Sequence, residues 1–241
     1  MNAEGRNTAM SWTTALEALK VRIGALGKSS VKAVVSPFWS NEDLGAVSRL
    51  VETLGGGSIV FRSARAEEEV VLQGYEGLAR RKALAPNGHG AELLGCTRVG
   101  DDLGQGGLED LMDHEGVVLV LGDALDDQPE DFAPNAGLVL YLGAYTSSAL
   151  ASVDFQLPVT TFAEQEGTFT NHAGRVQRFW PALSGAGAAR PAWLVLGALV
   201  GALQGEDGPN TAEKAFDLVA QAIKSYKGLD YETIGAQGGP S

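Results

Sequence analysis

Cysteine is almost absent from the sequence, and its scarcity excludes several kinds of site. The chain has 241 residues and a single cysteine, Cys96. One thiol cannot form an intrachain disulfide, and it cannot hold an iron–sulfur cluster or a cysteine-rich zinc site. The three histidines, His89, His114 and His172, are far apart and have no partner at helical spacing, so we interpret each as a surface residue. The sequence therefore predicts no metal site.

Basic residues and long apolar runs are also scarce. Lys and Arg number 18 against 30 Asp and Glu, which gives a formal net charge of −12. Nucleic-acid binding is disfavoured, because neutralising phosphates requires clustered Lys and Arg. The longest apolar run, residues 192–203, is shorter than the about 20 residues of a membrane span. The N-terminal residues also lack the apolar core of a signal peptide. The composition thus predicts a cytoplasmic protein with no direct membrane insertion.

Apolar runs and apolar stripes alternate along the chain. Residues 31–36, 58–61, 116–122 and 137–143 are short apolar runs, which are typical of strands buried in a parallel sheet. Between the first two runs, apolar residues recur at helical spacing, and the links are short. Strand, helix and strand in this order form a βαβ unit with a right-handed crossover. We predict an α/β fold: a doubly wound, mostly parallel sheet with C-terminal helices packed on it.

Helical periodicity and glycine positions predict the remaining organisation. Helices are predicted at residues 11–27, 40–54, 66–84, 108–115, 191–204 and 211–227. Two glycines weaken the helix at 66–84, and residues 85–107 are glycine-rich, so little regular structure is expected there. The helix at 191–204 is apolar almost all round, so it is either buried on both sides or exposed as an association surface. We divide the chain into an α/β domain, 1–207, and a C-terminal helix with a flexible tail, 208–241.

Two further motifs carry little weight. Residues 104–110 begin like a dinucleotide-binding loop, but Glu109 stands at the third glycine position and no clear strand precedes it. Residues 123–131 contain five acids, which hard cations favour as ligands. A solvated connection between two strands explains the acids more simply. We assign no catalytic residue and no metal ligand to either motif.

Residues 153–177, VDFQLPVTTFAEQEGTFTNHAGRVQ, contain polar residues and glycines in an ordered series. The series is Leu157, Pro158, Phe162, Glu164, Gly167, Thr168, Phe169, Asn171, Gly174, Arg175, Val176 and Gln177. In order and spacing it resembles a signature of the molybdopterin oxidoreductase superfamily, whose fold is Rossmann-like. We call residues 161–178 the signature segment.

Other segments resemble the same superfamily. Residues 5–19 are similar to its first helix, and residues 36–55 to a strand-to-helix segment with Asn-Glu. Residues 79–95 and 189–203 resemble one branch, the large iron–sulfur subunit of NADH–quinone oxidoreductase. The resemblance implies a molybdopterin oxidoreductase-like fold from about residue 5 to residue 204.

The resemblance also implies a site and, through what is missing, a function. In relatives that bind a pterin, the signature lies at the cofactor, which implies Gly167, Thr168, Asn171 and Arg175 as cofactor-binding residues if molybdopterin is bound. The cysteine-rich cluster domains, the molybdenum-ligating residue and the C-terminal barrel domain of such enzymes have no counterpart in this sequence. The leading hypothesis is a cofactor-free structural part of a protein like the large iron–sulfur subunit of respiratory complex I. Its partners would be other subunits, including iron–sulfur cluster-bearing chains, that hold it at the inner membrane.

Two alternatives stay open at this point. The chain could form half of a molybdopterin-binding catalytic site that a partner chain completes. It could also be a free-standing interaction module derived from the family, because a fold can be inherited without its chemistry.

Without a cofactor, the polar groups of the signature segment need other partners, because an unpaired buried polar group costs about 1–3 kcal/mol. We expect the segment to act as a structural clasp, with an exposed mobile loop as the alternative. In the clasp, Asn171 bonds to backbone groups and Arg175 pairs with Glu164 or Glu166. The other expected contributions are turns at Gly167 and Gly174 and core contacts from Phe162 and Phe169.

The single cysteine and the dispersed histidines lead to a prediction about metal content. We expect the purified chain to be colourless and to contain neither iron nor molybdenum, since no set of ligands for either is recognisable. Elemental analysis of protein expressed with added iron and molybdate checks this. Molybdenum at near one atom per chain would support the half-site alternative instead.

Overall fold

The computed structural model describes residues 2–3, 6–75, 78–145, 148–236 and 238–240. The strands in these residues are β1 (Asn2–Ala3), β2 (Arg6–Asn7), β3 (Val31–Val35), β4 (Gly57–Phe61), β5 (Val70–Val71), β6 (Ala79–Arg80), β7 (Thr97–Arg98), β8 (Val117–Leu121), β9 (Leu138–Gly143), β10 (Phe155–Pro158), β11 (Gly167–Thr170), β12 (Arg175–Phe179) and β13 (Gly239–Pro240). The α-helices are α1 (Trp12–Leu26), α2 (Asn41–Leu54), α3 (Gly88–Leu93), α4 (Ala192–Gln204), α5 (Ala212–Ala222) and α6 (Tyr231–Ile234).

A six-stranded parallel sheet forms the centre of the fold. Its strand order is β10-β9-β8-β3-β4-β7, and every neighbouring pair is parallel. The chain runs outward from β3 through β4 to β7, returns to β8 and continues outward to β10. The direction of winding therefore reverses between β3 and β8. The predicted α/β fold with a mostly parallel sheet is confirmed.

The two faces of the sheet have different coverings. Alternate residues of a strand face opposite sides, so Ala33 and Val35 pack with α1, α2, α4 and α5, whereas Val34 packs on the other side. On that second side lie short 3₁₀ turns and connections, including Leu108, Leu111 and Phe132. The long helices thus lie on one face, and irregular segments close the other.

Helix α2 is the central helix of the covered face. Ser40 is its N-cap and forms a capping box with Asp43. Its apolar residues, Leu44, Val47 and Leu50, are buried against α4 and α5. The close approach of α5 depends on Gly45, because a Cβ there would overlap Val219 Cγ2.

Helix α4 is apolar almost all round and is covered by the chain itself. Trp193, Leu196 and Leu199 are buried, and α4 contacts α1, α2 and α5. On its remaining side, Gly197 allows Pro209 to approach closely. The first of the two sequence alternatives therefore applies, and α4 does not supply an exposed association surface.

Several predicted elements are wrong. Residues 66–84 do not form a helix: they contain the hairpin of β5 and β6, because Val70 and Val71 favour extended structure and Gly74 turns with a φ of 82°. Residues 108–115 form only the 3₁₀ turn Glu109–Leu111. Residues 85–107, expected to be irregular, contain α3 and the sheet strand β7. The helix predicted to reach 227 ends at Ala222, where a 3₁₀ turn follows.

The C-terminal residues return to the signature segment. β11 and β12 form an antiparallel pair, and β13 pairs with β12 through Arg175 and Val176. Phe216, Tyr226 and Tyr231 belong to the same hydrophobic core as α2. Whether residues 208–241 form a unit of their own with a flexible tail stays a prediction. No helix within the described residues is long and apolar enough to cross a membrane.

Two helical glycines give a matched test of this packing. We expect Gly45→Ala to destabilise the fold by about 1–3 kcal/mol, because the added methyl overlaps Val219 of α5. The control is Gly24→Ala in α1, where nothing lies within 4 Å, and it should stabilise by about 0.5–1 kcal/mol through helix propensity. Urea unfolding of both variants measures the difference. Equal effects at the two positions would contradict the packing of α5 on α2.

Candidate functional site

Polar side chains are buried together where α2 begins, at the C-terminal edge of β3. We call this group the buried polar cluster, and each member is at most 3% exposed. Its members are Ser40, Asn41, Glu42, Asp43, Asn87, Thr160, Gln165, Thr168 and Thr170. Polar groups are stable at this depth only when they are hydrogen-bonded, so each contact in the cluster is a structural requirement.

Glu42 lies at the centre of the cluster. Its Oε2 accepts a hydrogen bond from the Thr168 backbone N–H at 2.8 Å, and its Oε1 accepts from the Thr168 and Tyr231 hydroxyls, each at 2.9 Å. These donors favour the carboxylate, but complete burial outweighs them and raises the pKa of Glu42 to about 7. Burial also raises the pKa of Tyr231, which keeps its hydroxyl protonated as a donor.

Asp43 connects the start of α2 to two distant segments. Its Oδ2 accepts from Ser40 Oγ at 2.7 Å and from Gln165 Nε2 at 2.6 Å, and its Oδ1 accepts from the Trp193 backbone N–H at 2.8 Å. Burial raises the pKa of Asp43 despite these bonds. Gln165 is itself held by Thr160, whose hydroxyl donates to its Oε1 at 3.0 Å. One carboxyl group therefore joins α2, the signature segment and α4.

Asn41 organises the threonines of β11. Its Nδ2 donates to the hydroxyls of Thr168 and Thr170, each at 3.0 Å, and its Oδ1 accepts from Tyr226 at 3.3 Å. Asn87 completes the arrangement: its Oδ1 accepts from the Thr170 backbone N–H at 2.8 Å, and its Nδ2 donates to the Trp39 carbonyl at 2.9 Å. The alternate residues of β11 that face α2 are thus fully bonded.

The structure separates the four predicted cofactor-binding residues. Gly167 and Thr168 are both buried in β11, whereas Asn171 and Arg175 lie in and after the turn to β12. Gly167 is needed for close packing rather than for a turn, since a Cβ would lie about 3 Å from Ser40 Cβ and Glu42 Oε2. The four predicted cofactor-binding residues therefore do not form one continuous binding surface.

The outer part of the signature segment differs from the expected clasp in two ways. The ion pair of the segment joins Arg178 to Glu166, and Arg178 Nε donates to Glu166 Oε1 at 2.9 Å. Arg175 Nη2 donates to the Gly238 carbonyl at 2.9 Å. Glu164 instead accepts from Thr161 in a capping box. The predicted pairing of Arg175 with either acid is thus corrected, because β12 directs alternate side chains to opposite faces.

Other expected contacts of the segment are partly confirmed. Asn171 Oδ1 accepts from the backbone N–H groups of Ala173 and Arg175, so its predicted backbone bonds are present. Gly174 forms the turn with a φ of 74°. Phe169 is half-buried against Phe179, but Phe162 is 51% exposed and does not reach the core.

An open cleft of about 560 Å³ lies beside the signature segment. Its floor is aromatic, and basic side chains surround it. The lining includes Phe61, Phe169, Phe179, Arg65, Arg81, Arg98, Arg178, His89 and His172. Of the four predicted cofactor-binding residues, Asn171 is the one that lines this cleft. Glu92 also lines it, and Glu166, Glu69 and Asp102 pair with Arg178, Arg81 and Arg98.

Ligands of open α/β sheets gather at the C-terminal strand ends where the winding reverses. In this structure, the Trp39 side chain fills that point between β3 and β8. Its indole lies so close to Gly122, the residue after β8, that a Cβ there would overlap it. Beside it, the Arg62 guanidinium donates to Asp123 at 2.9 Å and to Asp127 at 2.6 Å. The adjoining cavity is only about 220 Å³, which is small for a dinucleotide-sized ligand. Two of the five acids of residues 123–131, Asp123 and Asp127, thus bind an arginine.

Metal ligands do not cluster in the part of the chain that the structure describes: no group of three or more His, Cys, Asp or Glu side chains could hold an ion there. His114 Nε2 lies 3.1 Å from the Ser30 carbonyl, and His89 lies 3.7 Å from Glu92. Cys96 is buried, and burial raises the pKa of its thiol to about 12. A thiol of this kind is inert at neutral pH.

The site contains residues that the sequence did not indicate. Tyr226 and Tyr231 come from the C-terminal segment, and Asn87 comes from the glycine-rich region. The run Ser40-Asn41-Glu42-Asp43 was recognisable as a helix start, where polar residues usually face solvent. No local signal distinguishes a solvated helix start from one that a distant strand covers.

Comparison with known proteins gives a family for part of the chain. Residues 106–202 match the sequence model of the family described as molybdopterin oxidoreductase. This range contains β8 to β12 and most of α4, including the whole signature segment. The similarities noted before residue 106 lie outside the matched range and stay predictions.

Individual relatives are similar to this chain over only a small share of their own length. The F420-dependent formate dehydrogenase 2 subunit alpha of Methanococcus maripaludis is 37% identical over 87 residues, 35% of this chain and 13% of the relative. The F420-dependent formate dehydrogenase 1 subunit alpha of the same organism is 31% identical over 103 residues, 42% of this chain and 15% of the relative. The NADH-quinone oxidoreductase G 2 subunit of Rhizobium meliloti is 29% identical over 129 residues, 51% of this chain and 15% of the relative. The chain thus spans a small part of the length of the relatives it matches.

Glu42 makes the stability of the fold depend on pH. Its pKa is raised from 4.5 to about 7, so its contribution is fully present below pH 4.5 and is lost as the pH rises through about 7. We expect the stability of the wild type relative to Glu42→Gln to fall by about 3 kcal/mol over this range and then to stay constant. Urea unfolding at several pH values measures it.

The control for this experiment is Glu17→Gln on the exposed side of α1. It should change the stability by less than about 0.5 kcal/mol at each pH, as surface substitutions usually do. If the wild type instead became more stable relative to Glu42→Gln as the pH rises, the prediction would be wrong. Glu42 would then be ionised and favourably paired in the folded state.

Proposed function

We propose that this chain is a cofactor-free structural part of an NADH–quinone oxidoreductase and resembles part of the large iron–sulfur subunit of that complex. The proposal starts from residues 106–202, which match the molybdopterin oxidoreductase family model. In this role it binds neighbouring subunits, and those that carry iron–sulfur clusters transfer the electrons. Its place at the membrane would come from these subunits. The observation that carries the proposal is that the polar groups of the signature segment are bonded to other residues of the same chain.

Thr168 illustrates why a pterin does not fit the residues present. Its backbone N–H and its hydroxyl both bind Glu42, and the hydroxyl also accepts from Asn41. A ligand that used Thr168 would have to displace these contacts and would leave the buried Glu42 without two of its three donors, at a cost of about 1–3 kcal/mol for each lost partner. Gly167 offers no space either, since Ser40 and Phe179 lie against it. The residues support structure rather than ligand binding, and we derive no catalytic step through a pterin.

Two tyrosines strengthen this argument. Tyr226 and Tyr231 extend from the C-terminal segment into the buried polar cluster and bond to Asn41 and Glu42. The Arg178 guanidinium lies over the Tyr231 ring at 4.3 Å, which covers the tyrosine from the outside. The C-terminal segment thus provides the contacts that a ligand would otherwise provide.

The half-site alternative has one observation in its favour. The open cleft is bordered by Asn171 and by several basic side chains, and a partner chain could close it around an anionic ligand. The formate dehydrogenase relatives are consistent with such a site. The charges of the cleft argue against the half-site alternative, because Arg81, Arg98 and Arg178 each already have a carboxylate partner.

Co-expression with the cluster-bearing subunits of an NADH–quinone oxidoreductase tests the proposed function. We expect the chain to co-purify with cluster-bearing subunits and Asn171→Ala to leave electron transfer by the assembled complex within about twofold, since this side chain bonds to its own turn and to Gln177. Glu42→Ala should instead prevent co-purification, because it removes the acceptor that holds β11 and Tyr231. An assembled complex that loses activity with Asn171→Ala and contains pterin would establish the half-site alternative.

A further inference from the structure

The hairpin of β5 and β6 extends from the fold and exposes apolar side chains. We call residues 67–75 and 78–82 the arm. Val71, Leu72, Tyr75 and Leu78 are 53–63% exposed, and Val70 is 41% exposed. Large apolar side chains that are exposed as a group are typical of an interaction surface.

The arm is separate from the hydrophobic core. None of its described residues belongs to either of the two core clusters, and its backbone is held by pairing within the hairpin itself, as in the Leu72 N–H to Leu78 carbonyl bond at 2.9 Å. A two-stranded hairpin without further packing is marginally stable in water. The apolar side chains of the arm would therefore gain stability from burial against another surface.

One face of the arm is a shallow apolar groove of about 450 Å³, lined by Val70, Leu72, Leu78, Ala79 and Arg80. Val70 pairs directly with Arg80, and alternate residues share a face, so Val70, Leu72 and Leu78 lie on the same side. This face is the surface of a two-stranded sheet, and two such surfaces pack face to face at a distance of about 10 Å.

The charges at the base of the arm indicate what covers this face. Glu67, Glu68 and Glu69 precede β5, whereas Arg80, Arg81 and Lys82 end and follow β6. Glu69 and Arg81 form an ion pair at 3.0 Å, which places the two charged runs side by side. The outgoing strand is therefore acidic and the returning strand basic, so the arm is complementary to a second arm.

We propose that the arm is a self-association surface, on which a second copy of this chain packs groove against groove. A two-fold axis along the arm brings the acidic strand of each copy over the basic strand of the other. The same operation places Leu72 of one copy near Leu78 of its partner. Such an isologous contact uses the same surface twice, and both its apolar and its charged parts match.

Sedimentation velocity of the full chain over a range of concentrations measures the association. We expect a monomer–dimer equilibrium, and Leu72→Asp and Leu78→Asp should each raise the dimer dissociation constant by at least about tenfold, because each removes apolar burial in both copies and introduces a charge. The matched control is Val21→Asp, whose side chain is 70% exposed on α1, outside the arm. It should change the dissociation constant by less than about twofold.

Charge reversal tests the geometry of the contact. One variant replaces Glu67, Glu68 and Glu69 by Lys, and the other replaces Arg80, Arg81 and Lys82 by Glu. Each variant alone should be monomeric, because its two strands carry the same charge, while an equal mixture of the two should form a heterodimer. Unchanged thermal unfolding would show that the core is intact, as expected for residues outside it.

Three outcomes would overturn the proposal. A wild-type chain that stays monomeric at all concentrations would mean that the arm serves a different protein. A dimer that Leu72→Asp and Leu78→Asp leave intact would place the contact on another surface. A mixture of the charge-reversed variants that remains monomeric would exclude the arrangement of acidic strand over basic strand.

Discussion

The burial of one carboxyl group, that of Glu42, constrains more of this structure than any local preference does. A carboxyl group removed from water needs hydrogen-bond donors, and the first turn of α2 cannot supply enough of them. Thr168 supplies two and Tyr231 a third, so β11 and the C-terminal segment must both lie against the start of α2. Asp43 adds α4 through the Trp193 backbone. Three other segments, β11, α4 and the C-terminal segment, are thereby fixed around one helix start.

This arrangement gives the polar groups of the signature segment partners within the chain. Gly167 packs closely against Ser40 and Glu42, Thr168 hydrogen-bonds to Glu42, and Asn171 closes its own turn. The same residue types that suit a cofactor, namely small residues and hydrogen-bonding side chains, also suit a close contact between a strand and a helix. The match of residues 106–202 to the family model shows a similarity of sequence, whereas the site decides the function.

Stability and interaction are divided between different parts of the molecule. The sheet, the long helices and the buried polar cluster form one bonded unit around α2. The arm lies outside this unit and exposes apolar side chains, and the open cleft beside the unit is lined in part by arginines. Substitutions in the cluster thus act on folding, while substitutions in the arm can act on association alone. This division makes the structural and interaction roles of the chain separable by experiment.

The sequence by itself determined the elements whose signals are local. Ser11, Ser40 and the apolar runs of β3, β8 and β9 specify helix starts and buried strands, because capping and periodicity depend only on near neighbours. The order of residues in the signature segment likewise indicated the family. Only the tertiary structure decided which acid pairs with Arg178, that Trp39 fills the reversal point of the sheet, and that Glu42 is buried under Tyr231. These contacts join residues up to 189 positions apart, so no local pattern could contain them.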